Sequence, residues 1–214
     1  DITGAPYGRA WGFFDRQGRI PDNDEIAAIK RIIGSRLLEI DLEMSTLRFR
    51  RSGVEINLGS IGKGYALDRA ADLLRGNGLR DVLLHAGFST IMAVGDAPNS
   101  PNMGWPVGIR HPLKTDKDFA ILRLVNSALA TSGSGEQGFV IDNRRFGHII
   151  DPRTGYPAQE RLLSSAVAPT GALADALSTA FFVMDTQEIR AYCNSHPGVG
   201  ALVVRRKQDE EANL

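Results

Sequence analysis

Asn57-Leu58-Gly59-Ser60-Ile61-Gly62-Lys63-Gly64-Tyr65-Ala66 is the stretch on which the fold turns, because the hydrophobic period changes inside it. Val54–Leu58, leading into it, reads as a strand. After it, Ala66, Leu67, Ala70, Leu73 and Leu74 recur at helical spacing and stop near Gly76. Toward the N-terminus, Leu37–Leu42 and Leu47–Arg50 are short β-like runs, with Ser52-Gly53 as a turn. Pro21-Asp22-Asn23-Asp24 introduces a helix carrying Ile26, Ile29 and Ile33 on one face, and Gly34 stops it. Toward the C-terminus, Val82–Leu84, Thr90–Val94, Val107–Arg110 and Ile121–Val125 read as strands between Gly/Pro/Asn loops. Gly138–Ile150 reads as a hairpin turning at Asp142-Asn143, and Asp151–Pro157 is dense with turn residues. Ser164–Ala168 is a further strand, Ala172–Met184 a strong helix, Gln187–Asn194 a shorter one, and Ala201–Arg205 the last strand. The strands follow one another as meanders instead of alternating with helices, which predicts the α+β class. No repeat or long linker divides the chain, so one domain is expected over residues 1–207, with a polar, frayed tail at 208–214.

Composition narrows the function classes. With 214 residues, 43% hydrophobic and 23% charged, the chain can bury a core and resembles no disordered class. Its 25 basic and 25 acidic side chains cancel, so no net field draws it onto nucleic acid. The most apolar stretch, Ala176–Met184, is short and contains Ser178 and Thr179, which excludes a membrane span there. One cysteine, Cys193, allows neither an internal disulfide nor a thiolate cluster. The opening on Asp1-Ile2-Thr3, without a methionine or targeting run, reads as a processed or trimmed start.

Three motifs can carry chemistry. The Gly-rich turn at Gly59–Gly64 opens a helix, a geometry that presents backbone N–H groups to an anion. It is not a Walker A loop, since Gly64 stands where Ser or Thr would hold magnesium. Lys63 in the first turn opposes the helix dipole by ~0.3–1 kcal/mol, which suggests a nearby negative partner. A helix capped by Ser60 with a solvated lysine is the equal alternative.

On the late helix, Asp175, Ser178 and Thr179 stand at i, i+3 and i+4, so their oxygens share one face. Such hard oxygen ligands suit magnesium, with waters and phosphate oxygens completing its shell. The bland alternative is a dipole-favoured Asp175 and a Thr179 hydroxyl bonded to the carbonyl of Asp175. Third, His148 in Gly147-His148-Ile149-Ile150-Asp151-Pro152-Arg153-Thr154-Gly155-Tyr156-Pro157 is placed to take a proton near neutral pH, or simply to brace the turn. His85, His111 and His196 have no such neighbourhood, and no zinc spacing appears. Thr131-Ser132-Gly133-Ser134-Gly135 offers hydroxyls for phosphate or ribose, or is an ordinary loop.

Together, in this order, these blocks resemble the ApbE family of FAD:protein FMN transferases. Asp1-Ile2-Thr3 with Trp11-Gly12-Phe13, Gly59–Ala66 with Asp68, Ala130-Thr131-Ser132-Gly133, His148–Pro157 and Ala174–Thr179 are each similar to a family motif. The resemblance runs over essentially the whole chain. It implies a T-fold-like domain, from which the N-terminal portion that helps build the family's flavin pocket is absent here.

That resemblance also implies binding of FAD and Mg²⁺, with transfer of the FMN half onto a Ser or Thr hydroxyl of an acceptor flavoprotein subunit and release of AMP. Asp175 and Thr179 would hold the metal through side chains, with Ser178 beside it and the carbonyl of Ser60 added. Asp1, Asn57, Lys63 and Ile150 fall at positions that line the flavin nucleotide, and His148 at the base that deprotonates the acceptor. Asn57 replaces the family's usual Asp, and its amide still donates and accepts hydrogen bonds. The family implies the cell envelope, at the periplasmic face of the inner membrane, with a membrane anchor possible outside this chain. Hydrolysis of FAD to FMN and AMP, or FAD binding without catalysis, stay open beside transfer.

Overall fold

The computed structural model describes residues 1–98, 100–114, 116–134 and 137–206. The tail at 208–214 and Gly135 lie outside the described residues. In chain order the first elements are α1 (Ala5–Ala10), α2 (Asn23–Lys30), β1 (Leu38–Asp41), β2 (Thr46–Phe49) and α3 (Gly62–Gly76). Then come β3 (Val82–Ala86), β4 (Thr90–Val94), β5 (Trp105–Arg110), β6 (Asp118–Leu124), β7 (Ser127–Gly133), β8 (Gly138–Ile141) and β9 (Arg144–Gly147). Last are β10 (Arg161–Ala168), α4 (Gly171–Val183), α5 (Thr186–Ser195) and β11 (Gly200–Arg205). The α+β class expected from the meandering strands holds. No helix among the described residues is long and apolar enough to cross a membrane. The chain packs as two compact units. One holds Asp1–Leu58 and the described residues of Glu136–Gln159, the other the described residues of Gly59–Gly135 with Glu160–Arg206.

The second unit is built on one sheet of order β11-β10-β7-β4-β3, antiparallel throughout. Strand alternation gives it two apolar faces. Met92, Val94, Ala128, Ala130 and Ala168 pack with Leu67 and Ala71 of α3 and Ala174 of α4. Ala93, Leu129 and Leu163 face the other way and pack with Val107, Ile109 and Leu124 of the β5–β6 hairpin.

The central strand β7 is the main departure from the sequence reading, which took Thr131–Gly135 for a hydroxyl-rich loop. Ala, Ser and Gly have weak strand propensity. Yet Ala128 and Ala130 are fully buried, and their short side chains let α3 and α4 pack close to the sheet. The helical stripe in α3 is also shifted: Gly64, Leu67 and Ala71 are buried while Leu73 is 68% exposed. Val54–Leu58 forms no strand. Its apolar alternation looks β-like, but the segment joins no strand ladder, and the Asn57 N–H donates to the carbonyl of Ile2.

The first unit folds around aromatic side chains. Tyr7 and Trp11, at α1 and just beyond it, pack with Ile26, Ile33 and Phe146. The Trp11 ring stands 5.4 Å from Phe146 and 5.5 Å from Tyr156, between centroids. Helix α1 was missed because it has six residues, too few for a period to show. The β8–β9 hairpin turns at Asp142 and Asn143 with φ of 49° and 59°, as a two-residue turn of the mirror-image type requires. Helix α2 starts where expected, with Asp22 accepting the N–H of Glu25. Trp11 Nε1 donates to the carbonyl of Gly155 at 2.8 Å. A Cβ on Gly155, at φ 83°, would lie 2.8 Å from both Ile26 Cγ2 and Tyr7 Cε1, so only glycine fits beneath this core.

Candidate active site

Two helix starts meet in the second unit, and each is closed by the other helix. Helix α3 follows Ile61, whose side chain makes no cap, so Ser60 is not the N-cap. The N–H of Gly64, third in the helix, instead donates to Asp175 Oδ2 of α4 at 3.0 Å. Helix α4 begins behind Thr170, and its first two N–H groups, of Gly171 and Ala172, donate to Asp68 of α3 at 2.6 and 2.9 Å. Each carboxylate sits where a helix dipole favours negative charge. The exchange demands bare backbone. A Cβ on Gly64 would lie 2.0 Å from the carbonyl oxygen of Gly171, and one on Gly171 2.5 Å from that of Gly64.

Asp175 is 4% exposed. Its second oxygen accepts from Thr90 Oγ1 at 3.2 Å, and Lys63 Nζ lies 4.0 Å from the same oxygen. Burying a carboxylate costs several kcal/mol unless partners offset it, and here an amide, a hydroxyl and an ammonium do so. Lys63 is 44% exposed, so its head remains available to a second anion.

The hydroxyls predicted on this face are together. Ser178 is 1% exposed and donates to the carbonyl of Asp175 at 2.9 Å. Thr179 is half-buried, and its hydroxyl meets Ser132 Oγ of β7 at 3.1 Å, not the carbonyl of Asp175 considered as the bland alternative. Ser132 also reaches Ser178 Oγ at 2.9 Å. Ser60 is half-buried, two residues ahead of α3. Thr90 was not foreseen as part of the site, since a threonine starting a strand carries no chemical signal, and Asp68 was marked only by the resemblance, with no role given to it.

The donors on this face are all oxygen. Among the described residues, no group of three or more His, Cys, Asp or Glu could hold a metal, so a zinc-type cage is not assembled. A single carboxylate flanked by hydroxyls fits Mg²⁺, which is commonly held by one or two carboxylates and completed by water and phosphate oxygens.

The other predicted residues belong to the first unit. His148 is half-buried after β9, and its Nδ1 lies 3.3 Å from the carbonyl of Gln137. A carbonyl only accepts, so in that contact a neutral ring donates from Nδ1. Ile150 bridges to Pro157 and leans on the aromatic core. Asn57 is exposed. Asp1 Oδ1 accepts from the N–H and Oγ1 of Thr3, at 2.9 and 2.7 Å. Asp1 also borders a cleft of about 270 Å³ beside Lys30, Arg36 and Arg153, a cationic setting for an anionic ligand.

Beyond the histidine, burial pushes the Asp151 carboxyl up. The hydrogen bonds and charge of Arg153, with Lys30 further off, outweigh it and hold Asp151 below the usual carboxylate range. A depressed folded value means that this stability is present above about pH 4, the unfolded value, and is lost as pH falls through the folded one. Arg153 is 56% exposed, so the pair contributes about 1 kcal/mol or less. In Arg153→Ala the acid-unfolding midpoint is expected to move to higher pH, as followed by tryptophan fluorescence.

The model of the ApbE family matches residues 1–203. The chain belongs to the ApbE family. Among ApbE-family relatives, the FAD:protein FMN transferase of Treponema pallidum is 32% identical over 203 residues, covering 89% of this chain and 56% of that protein. The FAD:protein FMN transferase of Escherichia coli K12 is 31% identical over 204 residues, covering 89% of this chain and 55% of that protein. The crystal structure of the ApbE protein from Thermotoga maritima superposes with a TM-score of 0.86 at 32% identity, covering 96% of this chain and 66% of that one. The apo flavinyl transferase ApbE of Pseudomonas stutzeri gives 0.81 at 26% identity, over 97% and 63%. The chain spans about half the length of the curated ApbE-family relatives it matches.

Proposed function

We propose that this chain belongs to a Mg²⁺-dependent flavinyltransferase, which moves the FMN half of FAD onto a Ser or Thr hydroxyl of an acceptor protein and releases AMP. The observation that carries the reading is Asp175: a buried carboxylate held at both oxygens, on a helix face whose other donors are hydroxyls. Membership of a family whose relatives are named FAD:protein FMN transferases supports the same reading.

In the proposed reaction the acceptor oxygen attacks the FMN phosphorus, the bond from that phosphorus to the bridging oxygen breaks, and AMP leaves with that oxygen. Charge gathers on the diphosphate, so catalysis is mostly positioning and clamping. Asp175 and Thr179, with Ser178 beside them and the carbonyl of Ser60, would hold the Mg²⁺, which supplies charge neutralisation at the phosphate oxygens when bound. Lys63 carries a second positive charge toward the same diphosphate. Asp1, Asn57 and Ile150 line the flavin nucleotide in this reading, and the cationic cleft beside Asp1 supports an anionic ligand there. His148 takes the acceptor's proton in this reading. An envelope location, facing the periplasm, belongs to the same proposal.

The test is incubation with FAD, Mg²⁺ and an acceptor domain, followed by in-gel flavin fluorescence. A covalent label is expected, and none across several acceptors would overturn the proposal. AMP released equally without acceptor would point to hydrolysis instead. In His148→Ala the transfer rate is expected to fall about 10²–10⁴-fold, the usual worth of a general base, with the melting temperature unchanged. Transfer at the unaltered rate would remove His148 from the mechanism.

A further inference from the structure

Counting protons along the hydroxyls of the second unit fixes their direction. Ser178 Oγ lies 2.9 Å from the carbonyl oxygen of Asp175, and a carbonyl only accepts, so the one proton of Ser178 is spent there. Ser178 must then accept in its contact with Ser132 Oγ at 2.9 Å, which spends the proton of Ser132. Ser132 must in turn accept from Thr179 Oγ1 at 3.1 Å. The chain runs Thr179 to Ser132 to Ser178 to the backbone of Asp175. Its effect is to hold the Thr179 proton against β7, so that the lone pairs of that oxygen point elsewhere.

We infer that Ser132 is a positioning residue for the divalent cation, acting by keeping the proton of Thr179 away from it. The inference rests on the proposed Mg²⁺ reading of Asp175 and Thr179. An oxygen can ligate a cation only through a lone pair, and a hydroxyl free to rotate offers its proton as often. Without Ser132, Thr179 would turn to another acceptor, such as the carbonyl of Asp175 one helical turn back. Partners that orient a ligand in this way typically change metal affinity by about 10–100-fold when removed. Ser132 comes from the strand least visible in the sequence, and through this chain the sheet sets the orientation of a group on α4.

The experiment measures Mg²⁺ binding directly, by calorimetric titration of the full chain in the presence of FAD, beside thermal melting. Ser132→Ala is expected to bind Mg²⁺ about 10–100-fold more weakly. Ser132→Cys, close in shape but with only a weak S–H donor and weak sulfur acceptor in place of the hydroxyl, is expected to fall with it. Asp175→Ala serves as the reference for loss of the metal itself. Unchanged Mg²⁺ affinity in Ser132→Ala, with or without a lower melting temperature, would overturn the positioning role while leaving the metal reading intact if Asp175→Ala still loses binding. Wild-type affinity in Ser132→Cys would overturn it as well. Normal binding by Asp175→Ala would sink the metal reading and this inference with it.

Discussion

Asp175→Asn is expected to leave a folded protein whose flavin transfer has fallen by about a thousandfold or more, because the cation's several kcal/mol of charge stabilisation goes with the carboxylate. The fold should survive for a specific reason. Asp175 receives two different donors: an amide N–H from Gly64, which cannot change role, and a hydroxyl from Thr90, which can rotate. An asparagine can turn its oxygen to Gly64 and its NH₂ to Thr90, so each hydrogen bond is kept. The loss of negative charge also leaves Lys63 without its acidic neighbour at 4.0 Å. The check is in-gel fluorescence of a labelled acceptor across a Mg²⁺ series, beside a melting curve. Transfer within tenfold of the parent at saturating Mg²⁺ would show that the carboxylate is not a ligand. A collapse of the melting transition would show instead that the charge is structural.

The second large effect falls on stability. Gly64→Ala is expected to destabilise the protein by about 3 kcal/mol, the upper end of overpacking, and to lower the melting temperature by on the order of 10 °C. In most helices this change is favourable, since alanine exceeds glycine in helix propensity by about 1 kcal/mol. Here the new Cβ would stand 2.0 Å from the carbonyl oxygen of Gly171, where a backbone atom and not a flexible side chain must yield. Yielding means parting α3 from α4, which stretches the contacts of Asp68 and Asp175 together. Thermal melting decides it. A neutral or raised melting temperature would mean that the two helix starts do not meet as described. Gly62→Ala is the control, because a Cβ there meets nothing within 4 Å.

Much of this was legible in the sequence because the chemistry was local. Asp175, Ser178 and Thr179 sit within one turn and a residue of each other, so helical spacing alone placed them on a common face, and Lys63 was marked by its conflict with the helix dipole. The hairpin at Asp142-Asn143 was equally plain, since Asp and Asn side by side are turn residues, and both adopt the positive φ such a turn needs. What stayed hidden depended on contacts across long stretches of chain. Apart from Leu129, strand β7 is made of Ala, Ser, Thr and Gly, whose smallness suits the helices packed on it, and smallness has no period. Thr90 and Ser132 acquired their roles only when β4 and β7 came beside α4. Gly64 read as part of the Gly-rich turn and Gly171 carried no signal, and their meeting is a fact of packing.

The exchange of carboxylates between the two helix starts also bears on when the site can exist. Its bonds join residues 103, 104 and 111 positions apart. A nascent chain that has emerged only through β10 therefore carries Lys63 and Ser132 already made, but an α3 whose entrance still lacks its partner. Closing so long a loop costs entropy that local structure cannot repay. Competence for the proposed cation would accordingly arrive only once α4 has left the ribosome, and a polypeptide interrupted before that point would lack the carboxylate proposed to hold it.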